Sequence, residues 1–272
     1  MNLTFWNVDR LLGAVDLGEE KPMIDLASVN FFEPFALVYL GMYLRRFNRL
    51  GRGFEVRPPN ANDARKYLAR VRFWERFNFR PEVVERENLI RFTSSTSLND
   101  MVDIEQTPTI GDDVAESVLR VLRAEQVAVN TALVAELVGE LVDNFAQHSE
   151  TTLAACAMQY YPRKGQVTFA IGDCGIGIRA SLSSNPRYAY LQSASHAEAA
   201  LKAFDPLVSR RGEGGTGLTG VQEGIITARG RLVLATGDGY VKIDGRRIQI
   251  GTMALDLPGV QIEMMFPEVQ GT

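Results

Sequence analysis

Glu140-Leu141-Val142-Asp143-Asn144-Phe145-Ala146-Gln147-His148 is the stretch whose reading decides the fold. Glu140, Asn144 and His148 recur at every fourth position, so on a helix they stack along one side. Val134, Leu137, Val138, Leu141, Val142 and Phe145 supply apolar surface for the other side. That spacing predicts a helix from about residue 130, anchored in a core by one face. A carboxylate one turn from a side-chain amide, on a rigid and half-buried support, can hold a metal ion and a water.

Two glycine-rich turns follow. Asp173-Cys174-Gly175-Ile176-Gly177 comes directly after an expected strand at 167–171. Glycines there let the backbone approach a ligand closely, and a carboxylate at a strand end can accept a hydrogen bond from a base amine. Alone, the pattern fits an ordinary tight turn as well. The second turn is Gly212-Glu213-Gly214-Gly215-Thr216-Gly217-Leu218-Thr219-Gly220, ahead of an expected helix at 218–228. A glycine-rich segment opening a helix offers backbone N–H groups to an anion, and the helix dipole adds to the attraction. Alone, it fits a flexible loop equally well.

In this order, ExxxNxxxH, then DxGxG, then GGTGL, residues 110–272 resemble the nucleotide-binding domain shared by gyrase, heat-shock chaperone ATPases, sensor histidine kinases and the MutL repair proteins, the GHKL group. The resemblance implies an α+β fold of the Bergerat type. That is a two-layer α/β sandwich of helices on a mixed, mostly antiparallel sheet, with ATP between the layers. It also implies roles. Asn144 would coordinate Mg²⁺, which keeps several waters and takes its remaining oxygens from the nucleotide. Glu140 would orient or deprotonate the attacking water; a plain solvated carboxylate is the alternative. Asp173 would bind the adenine amine, and Gly175 and Gly177 would line the base and sugar. Gly215, Thr216, Gly217 and Leu218, in a mobile lid, would wrap the phosphates. His148 matches a polar position near the phosphates and fits a surface histidine equally well. Asp143 is either a supporting partner of the metal site or simply exposed. Arg210 and Arg211 either neutralise phosphate charge or form a solvated loop pair. Many members carry a Gly-Thr near the start of the last strand. Here Gly259-Val260 opens the closing segment and Gly251-Thr252 lies earlier. Either Val260 replaces the hydroxyl or the register differs.

The segment at 179–211 is long enough to act as a lid, with a helix near 194–204. It contains His196, the second of the chain's 2 histidines. His196 lacks the dimerisation-helix pattern of a phosphoacceptor, which argues against an autophosphorylating sensor kinase. Further strands are expected at 152–161, 231–236, 240–243, 247–250 and 260–266. Gly237-Asp238-Gly239 and Asp244-Gly245 are the hairpin signals between them.

Residues 1–90 read as a small α/β domain: a strand at 22–28, a helix at 35–50, a strand at 54–57 and a helix at 62–77. Asp25-Leu26-Ala27-Ser28-Val29-Asn30-Phe31-Phe32-Glu33-Pro34-Phe35 and the elements after it resemble the STAS domain of anti-sigma factor antagonists. In that family a serine follows an acidic residue at the helix start and is phosphorylated. Here Pro34 follows Glu33; it suits a first helical turn but has no hydroxyl. The resemblance then implies a scaffold for a protein partner, and allows a homodimer. Residues 91–109, including the Ser/Thr cluster at 93–97, are expected to link the two domains.

The chain has 272 residues, 46% hydrophobic and 23% charged, as expected of a soluble globular protein with a core. A net charge of −4 argues against a large nucleic-acid-binding surface, though not against a local basic patch. Cys156 and Cys174 form no CxxC pair, which fits two structural thiols in a reduced, cytoplasmic protein. The start, Met1-Asn2-Leu3-Thr4-Phe5-Trp6, lacks the regions of a signal peptide. The apolar run at 31–44 contains Glu33 and Pro34 and is too short for a bilayer, so a buried helix is expected there ahead of an interfacial one.

Three functions share the implied pocket. The first is Mg²⁺–ATP binding with slow hydrolysis coupled to lid closure, a regulatory switch. The second is an anti-sigma-type serine/threonine protein kinase, and the third a module that senses ATP or ADP without turnover.

Overall fold

The computed structural model describes residues 1–51, 53–77, 98–105, 109–151, 153–208 and 217–269. The chain begins with β1 (Asn2–Leu3), α1 (Val8–Gly13), β2 (Met23–Asp25), β3 (Phe31–Phe32), α2 (Pro34–Arg49), β4 (Glu55–Arg57), α3 (Asn62–Arg70) and α4 (Phe73–Arg76). It continues with β5 (Leu98–Glu105), α5 (Ile110–Ala124), α6 (Thr131–His148), β6 (Leu153–Tyr161), β7 (Gln166–Asp173) and α7 (Gly177–Ser183). The last elements are α8 (His196–Lys202), α9 (Gly217–Thr227), β8 (Arg231–Asp244) and β9 (Arg247–Pro267). Helices and an antiparallel sheet make this an α+β arrangement. The five larger strands, β5 to β9, pair antiparallel in the order β5-β6-β7-β9-β8.

Strand alternation divides that sheet into two unlike faces. Val167, Phe169 and Ile171 of β7, with Ile262, Met264 and Phe266 of β9, point toward α5, α6 and α9. Ala155, Ala157, Ala170 and Ala235 point the other way, toward α1 and α2. Helix α2 is buried on every side from Pro34 to Leu44, because it lies between this alanine face and the small strands of the N-terminal region. The N-terminal elements and the sheet therefore share one hydrophobic cluster. The helices on the alanine face, α1 and α2, come from the N-terminal region, and those on the other face from residues 110–272.

Local differences from the sequence reading have physical causes. Residues 98–105, expected within the linker, are edge strand β5, paired with β6. The expected helix at 62–77 is broken between α3 and α4, where Arg72 has φ 54°. The break turns Phe73 and Phe77 inward, and the Phe77 ring fills the space beside Gly41 of α2. Gly237-Asp238-Gly239 does not reverse the chain. It is an irregularity inside β8, and only the turn at 245–246 separates β8 from β9. The two glycines make room for α8: a Cβ on Gly237 would overlap the His196 ring, and one on Gly239 the Ala197 backbone. Among the described residues, no helix is long and apolar enough to cross a membrane.

Candidate functional site

Helix α6 starts where the Asn130 side chain accepts the Leu133 N–H at 3.2 Å, as an N-cap should. Its stripe of Val134, Leu137, Val138, Leu141, Val142 and Phe145 is buried, while Glu140, Asn144 and His148 stay half-buried along the edge of that stripe. Helix α9 lies beside it on a glycine seam. A Cβ on Gly224 would stand 2.5 Å from Leu137 Cδ2, and one on Gly220 would stand 3.1 and 3.2 Å from the Glu140 carboxylate oxygens. Asp143 turns instead toward α5. Its carboxylate accepts the Gly111 N–H in the first turn of that helix, and burial together with Asp112 raises its pKa. Asp143 thus braces a helix start.

The turn after β7 meets the end of α6. Ile176 N–H donates to the Ser149 carbonyl at 3.0 Å, and Gly175 packs so tightly on that carbonyl that a Cβ would overlap it. Asp173 is 4% exposed, with its side chain on the α6 face of the sheet. Gly175 N–H donates to its Oδ1 at 2.7 Å, and Val260 N–H is a second backbone donor. Burial nevertheless pushes the carboxyl up to about 7, because desolvation outweighs both donors. Gly177 and Gly259 have φ of 73° and 91°, a region that favours glycine. The Thr236 hydroxyl donates to the Gly259 carbonyl at 2.8 Å and accepts the Ile178 N–H at 3.2 Å. Gln261 closes the arrangement, donating from its amide to the Asp173 carbonyl at 2.9 Å.

The hydroxyl beside the Asp173 turn comes from neither residue expected to supply it. Val260 meets Asp173 through its backbone, and Thr252 is exposed on the far part of the β8–β9 hairpin, opposite Gly239. The hydroxyl at the turn belongs to Thr236, on the neighbouring strand. Thr236, Ser149 and Gly259 are the site residues that sequence reasoning missed. Their only signal was position: Thr236 precedes the glycine of the β8 irregularity, and Ser149 directly follows the motif helix. The close approaches that Gly175 and Gly177 permit are to the protein's own backbone and to Thr236.

Gly217 opens α9, and Leu218 is half-buried against the α6-side core. Thr219 donates its hydroxyl proton to the Phe204 carbonyl at 3.1 Å, tying α9 to the chain after α8. Gly215, Thr216, Arg210 and Arg211 lie outside the described residues. His196 is not at this site: its Nδ1 is 2.6 Å from Asp238 Oδ1, in the β8 irregularity. Both cysteines are free thiols. Cys174 donates to the Met42 carbonyl at 3.2 Å, and burial pushes its thiol up to about 12.

Among the described residues no group of three or more His, Cys, Asp or Glu side chains could hold a metal. Mg²⁺ on a polyphosphate brings most of its oxygens with it and asks few ligands of a protein. Asn144 has the matching feature. Its amide nitrogen is buried and has no hydrogen-bond partner among the described residues. A ligand acceptor can complete such a nitrogen, and rotation about the last torsion exchanges it for the oxygen. Asp173 has two oxygens and two backbone donors, which leaves acceptor capacity for a base amine. The residues present fit Mg²⁺ with a nucleotide. Comparison with protein-family models, curated proteins and solved structures gives no match to this chain.

Proposed function

We propose that residues 110–272 form a Bergerat-type domain that binds Mg²⁺–ATP, hydrolyses it slowly, and uses closure of the segment before α9 as a regulatory switch. What carries this reading is the meeting of three separate stretches around α6. The Asp173 turn docks on Ser149 at its end, and α9 packs on Glu140 along its side. The buried amide nitrogen of Asn144, without a hydrogen-bond partner among the described residues, lies between those two contacts along the helix.

Bound Mg²⁺ would be held by Asn144 and would supply charge neutralisation to the phosphates. Asn144 offers it an amide oxygen. Asp173 accepts a hydrogen bond from the base amine, which favours its ionised form. The start of α9 presents backbone N–H groups to the phosphates. Glu140 orients a water and takes its proton. The N-terminal elements carry the exposed apolar side chains Trp6, Met23 and Leu50, and this reading assigns that region to a protein partner.

The test is ATP binding and phosphate release with the purified chain. Asn144→Ala is expected to weaken Mg²⁺-dependent binding about a hundredfold, roughly 2.7 kcal/mol. Glu140→Ala is expected to bind and stall. Equal turnover by Glu140→Ala removes that residue from the chemistry, and absence of ATP binding by the unmutated chain overturns the reading. Binding without release makes the protein a sensor. A phosphate gained by a co-purifying protein makes it a kinase.

A further inference from the structure

On the face of the sheet opposite Asp173, a cavity of about 290 Å³ opens between the first residues of the chain, the start of α2, and strands β7, β9 and β8. Its floor is a rung of Thr168, Met265 and Arg231, in register across the three strands, with Glu263 on the next rung. Glu263 Oε2 accepts the Phe35 N–H at 2.8 Å, so a strand carboxylate caps the first turn of α2. The N-cap residue itself, Glu33, also lines the cavity.

Charges of both signs line this cavity. Burial raises the pKa of Glu33 against the opposing pull of Lys164, and burial pushes Glu263 up to about 8, with the charge of Glu33 adding to the rise. Two carboxyl groups thus share a space in which burial outweighs the pull of Lys164. Two ammonium groups line the same cavity. Lys164 lies over the Tyr161 ring at 5.1 Å and Lys242 over the Trp6 ring at 5.2 Å. Neither ammonium has a carboxylate within 4.0 Å among the described residues, whereas Arg231 is paired with Asp244 at 3.5 Å. An incoming ammonium favours the ionised form of Glu263, and two carboxylates and two lysines then balance. A ligand that satisfies both signs is itself bipolar and neutral overall. The volume lies at the lower end of small-molecule pockets, roughly 300 Å³, which restricts the ligand to a compact molecule.

We propose that this cavity is a second ligand site, taking a free α-amino acid with its ammonium against Glu33 and Glu263 and its carboxylate between Lys164 and Lys242. Trp6, Phe5 and Met265 provide the apolar wall for the side chain. The site is independent of the nucleotide reading, since it uses the other face of the sheet and none of the same residues.

The experiment is calorimetric titration of the full chain with each free L-amino acid in turn. The N-acetylated and the decarboxylated forms of the tightest binder follow. Saturable binding is expected for at least one amino acid, with both altered forms weaker by about tenfold or more. Glu263→Gln retains the acceptor for Phe35 N–H, and Lys164→Gln changes an exposed side chain. Each is expected to weaken binding about tenfold while leaving thermal unfolding cooperative. No binding by any amino acid overturns the proposal. So does an altered form that binds as tightly as its parent, or affinity unchanged in both variants.

Discussion

Under α6 the sheet presents Phe169, Ile171, Met264 and Phe266; under α2 it presents Ala155, Ala157, Ala170, Gly172 and Ala235. The difference follows from the helices. Helix α2 carries Phe35, Leu37, Val38, Tyr39, Leu40, Met42, Tyr43 and Leu44, all fully buried, so it supplies the bulk and needs a floor of small residues. A Cβ on Gly172 would already stand 2.6 Å from Val38 Cγ1. Helix α6 is apolar on one side only. The large strand residues fill the space beneath it, and its polar side stays near the surface with Glu140, Asn144 and His148. A helix wrapped in core is a structural strut. One that buries a single stripe can carry chemistry along its edge.

The largest expected effect lies on the large-residue face. Phe169→Ala removes a ring that is 1% exposed and should cost about 4 kcal/mol in urea denaturation. A loss below that of a surface substitution would break the comparison.

Asp173 on one face and Glu263 on the other both carry a raised pKa, which makes the next test a titration. Desolvation raises Asp173 from 3.8 to about 7 and Glu263 from 4.5 to about 8. The unfolded chain releases these protons near pH 4, while the folded chain holds them until about 7 and 8. Between those limits the folded state binds more protons, so stability falls as pH rises, and the loss is complete above the folded values. The total is on the order of 4 kcal/mol per group. Asp173→Asn should remove the part ending near pH 7, and Glu263→Gln the part ending near pH 8. A stability curve flat from pH 4 to 8 in the unmutated protein would contradict the burial of both. The same ionisation predicts that ATP affinity rises with pH through about 7 and that Asp173→Asn abolishes the rise.

On the small-residue face, Gly172→Ala should cost about 2 kcal/mol by overpacking against Val38 and Met42. A neutral result would mean that α2 can ride further from the sheet. Last, Thr236→Val leaves the Ile178 N–H and the Gly259 carbonyl without their shared hydroxyl. About 1 kcal/mol is expected, together with faster amide exchange at Ile178 that localises the effect to the Asp173 turn.

Much of the α6 face is legible in the amino-acid sequence. Fourfold spacing marks the helix, its buried stripe and its polar edge, and alternation marks β7 with Asp173 at its end. The α2 face is not legible. Alanines and a glycine at alternate strand positions carry little hydrophobic signal, and the apolar run of α2 says that it is buried without saying by what. Gly237 and Gly239 look like turn residues because a glycine needed for close approach and one needed for chain reversal are the same letter.

The sequence by itself determined α2, α6 and β7 as helix or strand, which side of α6 is apolar, and which of its side chains share an edge. Those properties depend on periods of a few residues and are encoded locally. Only the tertiary structure decided that α2 lies on the alanine face, that Asp143 braces α5, and that Ser149, Thr236 and Gly259 close the turn around Asp173. These are contacts between residues far apart along the chain, chosen by how volumes and hydrogen-bonding groups fit once the layers meet, and no local period specifies them.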